Sequence, residues 1–246
     1  MNPREAITRQ IHGLLERERR INLHRFPIDI SNADGVVVLE GEVADIAAKK
    51  LALELAGSVP GVRGVVDRVR VTPGTRPGEG RRGDGEIRDS LARRLLEQPE
   101  FLNCTLRVHT NEKDLVLREA NGDGVGEIEI SVSDGVIVLE GHVISVPHRL
   151  FAGVLAWWTP GRRDVINSLE LEPRYEERDD EVAEALRLVL DADPEIDAAQ
   201  VRPQCEKWVV KLEGNVPTEE QKRRAEMDAW SLSGVDRVVN NLQVTS

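Results

Sequence analysis

The chain has 246 residues, long enough for one large domain or two to three small ones, with 40% apolar and 31% charged residues, which describes an ordinary globular protein rather than a disordered or fibrous one. Its formal net charge of −11 argues against broad electrostatic binding to nucleic acid or to anionic lipid over the whole surface. The balance is uneven: residues 1–83 carry 14 basic and 11 acidic side chains, whereas residues 84–173 carry 9 and 16 and residues 174–246 carry 10 and 17.

The N-terminus MNPREAITRQ has neither the apolar run nor the small-residue cleavage site of an export signal, and no later run reaches membrane-spanning length, so a cytoplasmic location is expected. Ile7, Ile11 and Leu15 share one face of a first helix. A basic segment follows, with Arg17, Arg19, Arg20 and Arg25 as candidate lipid or partner contacts; a phosphate-rich surface, if touched, is expected to meet the first third of the chain. An extended piece, Pro27 to Ser31, pairs back through Asp34-Gly35 on the strand VVVLEG.

That strand is written three times: DGVVVLEGEV at 34–43, DGVIVLEGHV at 134–143 and KWVVKLEGNV at 207–216. With the copies aligned on Gly41, Gly141 and Gly214, four residues further on stand Asp45, Ser145 and Thr218, each a good helix N-cap, with Gln221 placed to complete a capping box in the third copy. Twenty residues after the reference glycines come Gly61, Gly161 and Gly234, which stop a helix, and alternating strands close at Val71, Leu171 and Val244. A strand–helix–strand crossover makes its two strands parallel. Upstream helices match as well: residues 84–101 align with 179–196, with Pro99 and Pro194 in register.

The expected fold class is therefore α+β, three tandem αββαβ two-layer sandwich modules spanning 1–71, 84–172 and 179–244. The Gly/Pro-rich stretch Thr72–Gly85 and the charge run Pro173–Asp180 read as linkers. The second module carries an insertion around 103–124, in which TLRVHT and DLVLRE alternate around Asn111–Lys113 as an added hairpin.

The GVVVLEGEV strand, the capped helix and the close VPGVRGVVDRV (compare LSGVDRVVNNLQV, 232–244) resemble the BON domain, named for bacterial osmotic-stress and nodulation proteins. The resemblance implies a non-catalytic module, often exported, that binds phospholipid or another envelope component. The expected function is thus a non-enzymatic binding protein, peripheral to a membrane; the alternative is a cytosolic protein-interaction scaffold that oligomerises through outer sheet faces.

Candidate contacts follow. Two helices cover one face of each three-stranded sheet, so Val36, Val38, Val136 and Val138 on the other face ask for a cover, whereas Lys211 makes the third copy's outer face wet. Trp157 and Trp158 lie off the alanine stripe of their helix; they read either as packing against a neighbouring element or, with Arg162 and Arg163, as an interfacial lipid anchor. Asp67, Asn167 and Asn240 hold one fixed place in the last strand and are expected to fix local backbone.

No cofactor or metal site is written. Cys104 and Cys205 are isolated and read as buried thiols, the five histidines lack paired spacing, and Glu119–Gly124 (EANGDG) fails as a calcium loop because Ile130 stands at its twelfth position. No motif assembles a nucleophile with a base.

Overall fold

A computed structural model describes residues 3–73, 82–110, 114–120 and 126–245. The chain divides into two compact units, Met1–Gly74 and Thr75–Ser246.

The first unit runs α1 (Pro3–Arg17), β1 (Ile28–Ala33), β2 (Val36–Val43), α2 (Ile46–Gly57) and β3 (Gly64–Val71). Its sheet has the order β1-β2-β3, the first pair antiparallel and the second parallel, as the crossover requires. The inner face of β2 brings Val37 and Leu39 into the core with Ile11 and Leu15 of α1 and Ala52 and Ala56 of α2, all fully buried.

The second unit holds both other repeats. Repeat 2 comprises α3 (Asp84–Glu97), β4 (Cys104–His109), β5 (Asp114–Arg118), β6 (Gly126–Ser133), β7 (Val136–Val143), α4 (Val146–Trp157), β8 (Asp164–Asn167) and β9 (Glu170–Leu171). Repeat 3 comprises α5 (Asp179–Ala192), β10 (Val201–Glu206), β11 (Val209–Val216), α6 (Glu219–Ser231), β12 (Arg237–Asn240) and β13 (Gln243–Val244). Both preserve the antiparallel–parallel pattern of repeat 1. The helices expected over 84–101 and 179–196 stop earlier, before Pro99 and Pro194, because a proline disfavours helical geometry in the residue ahead of it. The insertion does form two strands: β4 adds parallel to β6 and β5 pairs antiparallel to β4, giving a sheet of order β5-β4-β6-β7-β8. Its turn, Asn111–Lys113, lies outside the described residues, as do most of the Glu119–Gly124 loop and of the first linker.

Local devices recur copy by copy. Asp45, Ser145 and Thr218 cap their helices through side-chain oxygens that accept from Ala48, His148 and Gln221 backbone N–H at 2.9, 3.5 and 3.1 Å. Gln221 does not close the expected capping box; its amide instead donates to the Glu195 carbonyl at 2.8 Å. A Cβ at Gly41, Gly141 or Gly214 would collide with the backbone carbonyl of Pro27, Glu127 or Gln200 at the start of the neighbouring strand, which is why this strand position is glycine every time. In repeat 3 the turn that is Asp-Gly elsewhere is Lys207-Trp208, at φ +51° and +62°, conformations costly for a bulky side chain.

Repeats 2 and 3 pack through α4 against α5 and α6. The charge run read as a linker is pinned in place. The Tyr175 hydroxyl accepts from Val146 N–H at 3.1 Å and donates to Glu181 at 2.8 Å, joining the starts of α4 and α5, and Arg149 pairs with Glu177 at 2.6 Å.

Candidate functional site

The basic segment of repeat 1 is built on the connection between α1 and β1. Ile21 is buried and anchors it, while Asn22 accepts through its carbonyl from Arg25 and Phe26 N–H at 3.2 and 2.8 Å and through its side chain from Arg25 N–H at 3.0 Å. This turn presents Arg17, Arg19, Arg20 and Arg25 outward, all exposed, with one acidic neighbour, Glu18, between them. The Arg25 guanidinium lies 5.1 Å over the half-buried Phe26 ring. The result is a compact cationic loop with an aromatic at its base, in a chain whose other regions are acidic.

Trp157 and Trp158 sit elsewhere. Trp157 is 8% exposed and carries the Arg162 guanidinium 5.9 Å over its ring; its counterpart in repeat 3, Trp230, is 3% exposed. Trp158 is half-buried, and its indole N–H donates to Asp228 of α6 at 3.1 Å. Trp158 thus reaches from repeat 2 to repeat 3, and the burial of Trp157 leaves little of its ring exposed. Arg162 and Arg163 are half-buried beside them, with the Arg163 N–H donating to the Gly135 carbonyl at 2.7 Å. A signal was present in FAGVLAWW: α4 is apolar on all sides, unlike α6, and a helix apolar all round is covered on all sides.

Beneath Trp158 lies a buried carboxyl of repeat 3. Asp228 is 3% exposed, and burial, reinforced by the Asp193 carboxylate nearby, pushes its carboxyl well above the ordinary aspartate range. Asp193, 1% exposed, pairs with the Arg224 guanidinium, which also reaches Glu195 at 3.2 Å.

The outer-face valines split by degree. Val36 is 40% exposed, with Val66 beside it equally so, while Val38, Val136 and Val138 are half-buried; Ile166, opposite Val138 in register, is 47% exposed. Both sheets thus carry an apolar patch that no described residue covers fully. Repeat 3 places Lys211 in the middle of the same face, next to Glu213 at 2.5 Å.

The fixed polar position does what its recurrence suggested. Asp67, Asn167 and Asn240 each accept from the N–H two residues on, at 2.9, 3.3 and 3.2 Å. Asn167 and Asn240 also donate to the carbonyls of Arg149 and Lys222 on their helices, both at 2.8 Å. In repeat 1 the equivalent helix residue, Lys49, is 5% exposed and reaches Asp67 with its ammonium at 2.9 Å.

Neither thiol is activated. Cys104 is buried, and burial raises its pKa; Cys205 is only half-buried, against expectation, and burial together with Asp179 pushes it up to about 12. The structure does bring a hydroxyl to an imidazole, Ser145 Oγ to His148 Nδ1 at 2.7 Å, but both lie in one helical turn. The hydroxyl there serves as the cap of α4, and burial lowers the His148 pKa.

Comparison with known proteins places these observations. A search of curated proteins found no match. Two solved structures from Chlamydia trachomatis are similar at low identity, both of CdsD, described as a structural protein of the type III secretion system. Its C-terminal domain shares 14% identity over 100% of each chain at a TM-score of 0.26, and the other structure shares 15% over 98% of this chain and 94% of that one at 0.24. The BON domain family matches residues 3–73, 114–173 and 178–246, the three repeats in turn, and the chain belongs to that family.

Proposed function

We propose that the chain is a non-enzymatic binding protein that associates with an anionic phospholipid surface, or another anionic envelope component, through the arginine loop of repeat 1. One observation carries the reading: Arg17, Arg19, Arg20 and Arg25 are exposed together on an ordered turn over Phe26, in a chain whose net charge is −11. Each basic residue near an anionic membrane contributes about 1 kcal/mol. The attraction is local to repeat 1. Membership of the BON family supports the lipid as ligand. No described helix is long and apolar enough to cross a membrane, so such an association is peripheral in this reading. Vesicle co-sedimentation tests it: binding to anionic and not neutral vesicles at low salt, lost in the Arg17, Arg19, Arg20, Arg25→Ser variant, is expected. Equal pelleting with neutral vesicles, or none at low salt, rejects it.

A second reading rests on the apolar outer faces of the first two sheets, Val36, Val38 and Val66 in repeat 1 and Val136, Val138 and Ile166 in repeat 2. Patches of this kind suit a protein partner or a second copy. Size-exclusion chromatography with light scattering distinguishes the two, since a Val36→Lys, Val66→Lys variant shifts an oligomer to monomer and leaves vesicle binding intact.

A further inference from the structure

We propose that the inserted hairpin of repeat 2 creates a divalent transition-metal site, with His109, Asp114 and Glu129 as its three protein ligands. His109 closes β4, Asp114 opens β5 directly opposite it in register, and Glu129 lies on β6 on the far side of β4. Alternate residues of these strands, Leu106, Val108, Ile128 and Ile130, are buried, so His109 and Glu129 project from the outer face. His109 Nδ1 is 2.6 Å from Asp114 Oδ1 and 4.0 Å from Glu129 Oε1, and the three ligand atoms lie within 4.8 Å of one another. Ligand bonds of about 2.0–2.2 Å place the ligand atoms of one ion roughly 3–3.5 Å apart. Modest rotation of three exposed side chains meets that spacing.

The charge pattern of the three repeats supplies an independent reason. At the equivalent place in each sheet two side chains oppose one another across the antiparallel pair: Asp29 and Glu40, Glu129 and Glu140, Arg202 and Glu213. Like charges so opposed destabilise a sheet unless neutralised. In repeat 1 Arg68 reaches Glu40 at 3.3 Å, and in repeat 3 Lys211 and Arg202 flank Glu213. In repeat 2 the place of Arg68 is taken by Ser168. Arg107, opposite Glu129 in register, forms its ion pair with Glu127 at 2.9 Å, and among the described residues no lysine or arginine forms an ion pair with Asp114, Glu129 or Glu140. The hairpin brings an imidazole to this carboxylate-rich spot, next to an Arg107 that faces Glu129 in register but pairs with Glu127. One imidazole nitrogen with two carboxylate oxygens suits Zn²⁺, Ni²⁺ or Cu²⁺ rather than Ca²⁺ or Mg²⁺, which take oxygen ligands, and water completes the coordination.

Isothermal titration of the full chain with ZnCl₂ in a non-chelating buffer tests the site. One equivalent is expected to bind in the micromolar range, with affinity falling at least tenfold in His109→Ala and in Asp114→Asn and unchanged in His142→Ala. Because all three ligands are at least one-third exposed, these variants retain the apo protein's melting temperature, and zinc raises Tm in the parent chain but not in His109→Ala. Co²⁺ substitution is expected to give d–d bands without a thiolate charge-transfer band, which separates this site from Cys104 and Cys205. Saturation absent at millimolar zinc, affinity unaltered by His109→Ala, or a thiolate band overturns the proposal.

Discussion

The contact between repeats 2 and 3 makes a quantitative demand on one hydrogen bond. Trp158 donates from repeat 2 to the buried Asp228 of repeat 3 at 3.1 Å, and the other side-chain hydrogen bond to that carboxyl runs to Asp193 within repeat 3. Replacing Trp158 by phenylalanine removes the N–H and leaves the oxygen desolvated, a cost of about 1–3 kcal/mol plus a small packing loss. For a unit of this size that corresponds to roughly 2–10 °C in Tm. All four tryptophans lie in Thr75–Ser246, so a urea melt followed by tryptophan fluorescence reads the second unit alone. The packing loss cancels in a double-mutant cycle with Asp228→Ala, which isolates the hydrogen bond. A coupling of about 1–2 kcal/mol is expected; additivity within about 0.3 kcal/mol would falsify the bond as a link between the repeats.

The same aspartate predicts a pH dependence. Its folded pKa is raised, so its favourable contribution is complete below the unfolded value of about 3.9 and is lost as pH rises through the folded value. Asp228→Asn should therefore gain stability over the parent with rising pH and match it near pH 3.5; a gap that stays constant across the range contradicts the assignment. Asp179 behaves in the opposite sense. It accepts from the Lys207 and Trp208 N–H groups at 2.8 and 3.3 Å, and the Lys207 contact first among these causes holds its pKa below the ordinary range. Its contribution is present above the unfolded pKa and is lost as pH falls through the folded one, so Asp179→Asn flattens the acid limb of the stability curve. In repeat 1, Lys49→Ala is expected to cost about 2–3 kcal/mol, below the full cost of breaking a buried pair because Asp67 is one-third exposed. Adding Asp67→Asn should recover part of that loss by installing the amide-to-helix bond seen at Asn167 and Asn240, read as restored hydrogen-exchange protection of β2 and β3.

Much of the fold was legible because its devices are local. A cap needs a short polar side chain four residues past a strand's last glycine, and the glycine is needed because the neighbouring strand's carbonyl leaves no room for Cβ. Such requirements leave letters at fixed intervals, and three copies made the intervals readable. What was not legible depends on partners far apart in sequence. Trp158 and Asp228 are seventy residues apart and no spacing connects them. Gln221 sits at a capping-box position, yet the Glu195 carbonyl, brought close by packing of the same repeat, takes its amide. The His109, Asp114 and Glu129 cluster escaped for a related reason: metal motifs on helices show i, i+4 spacing, whereas a site spread over three strands depends on register, here set by a hairpin and a parallel pairing.

The divergence of the copies follows one rule. Residues that serve the unit itself recur in function more than the outward ones do, as Asp84 and Asp179 show: each opens a helix and accepts from two backbone N–H groups of the turn ahead of the repeated strand, at 3.0 and 2.8 Å to Asp134 and Gly135, and at 2.8 and 3.3 Å to Lys207 and Trp208, while in repeat 1 Asn32 accepts from Gly35 N–H at 3.0 Å. The Asp179 carboxylate helps the third turn tolerate positive φ at Lys207 and Trp208, where the other copies have Asp-Gly, and the freed position lets the Trp208 ring lie against Gly234. Where a residue faces outward the copies part: arginines in the first, a histidine among carboxylates in the second, Lys211 beside Glu213 in the third. Selection on shape acts on all three alike, so these outward differences, rather than the shared strand, are where three bodies of one fold acquire separate tasks.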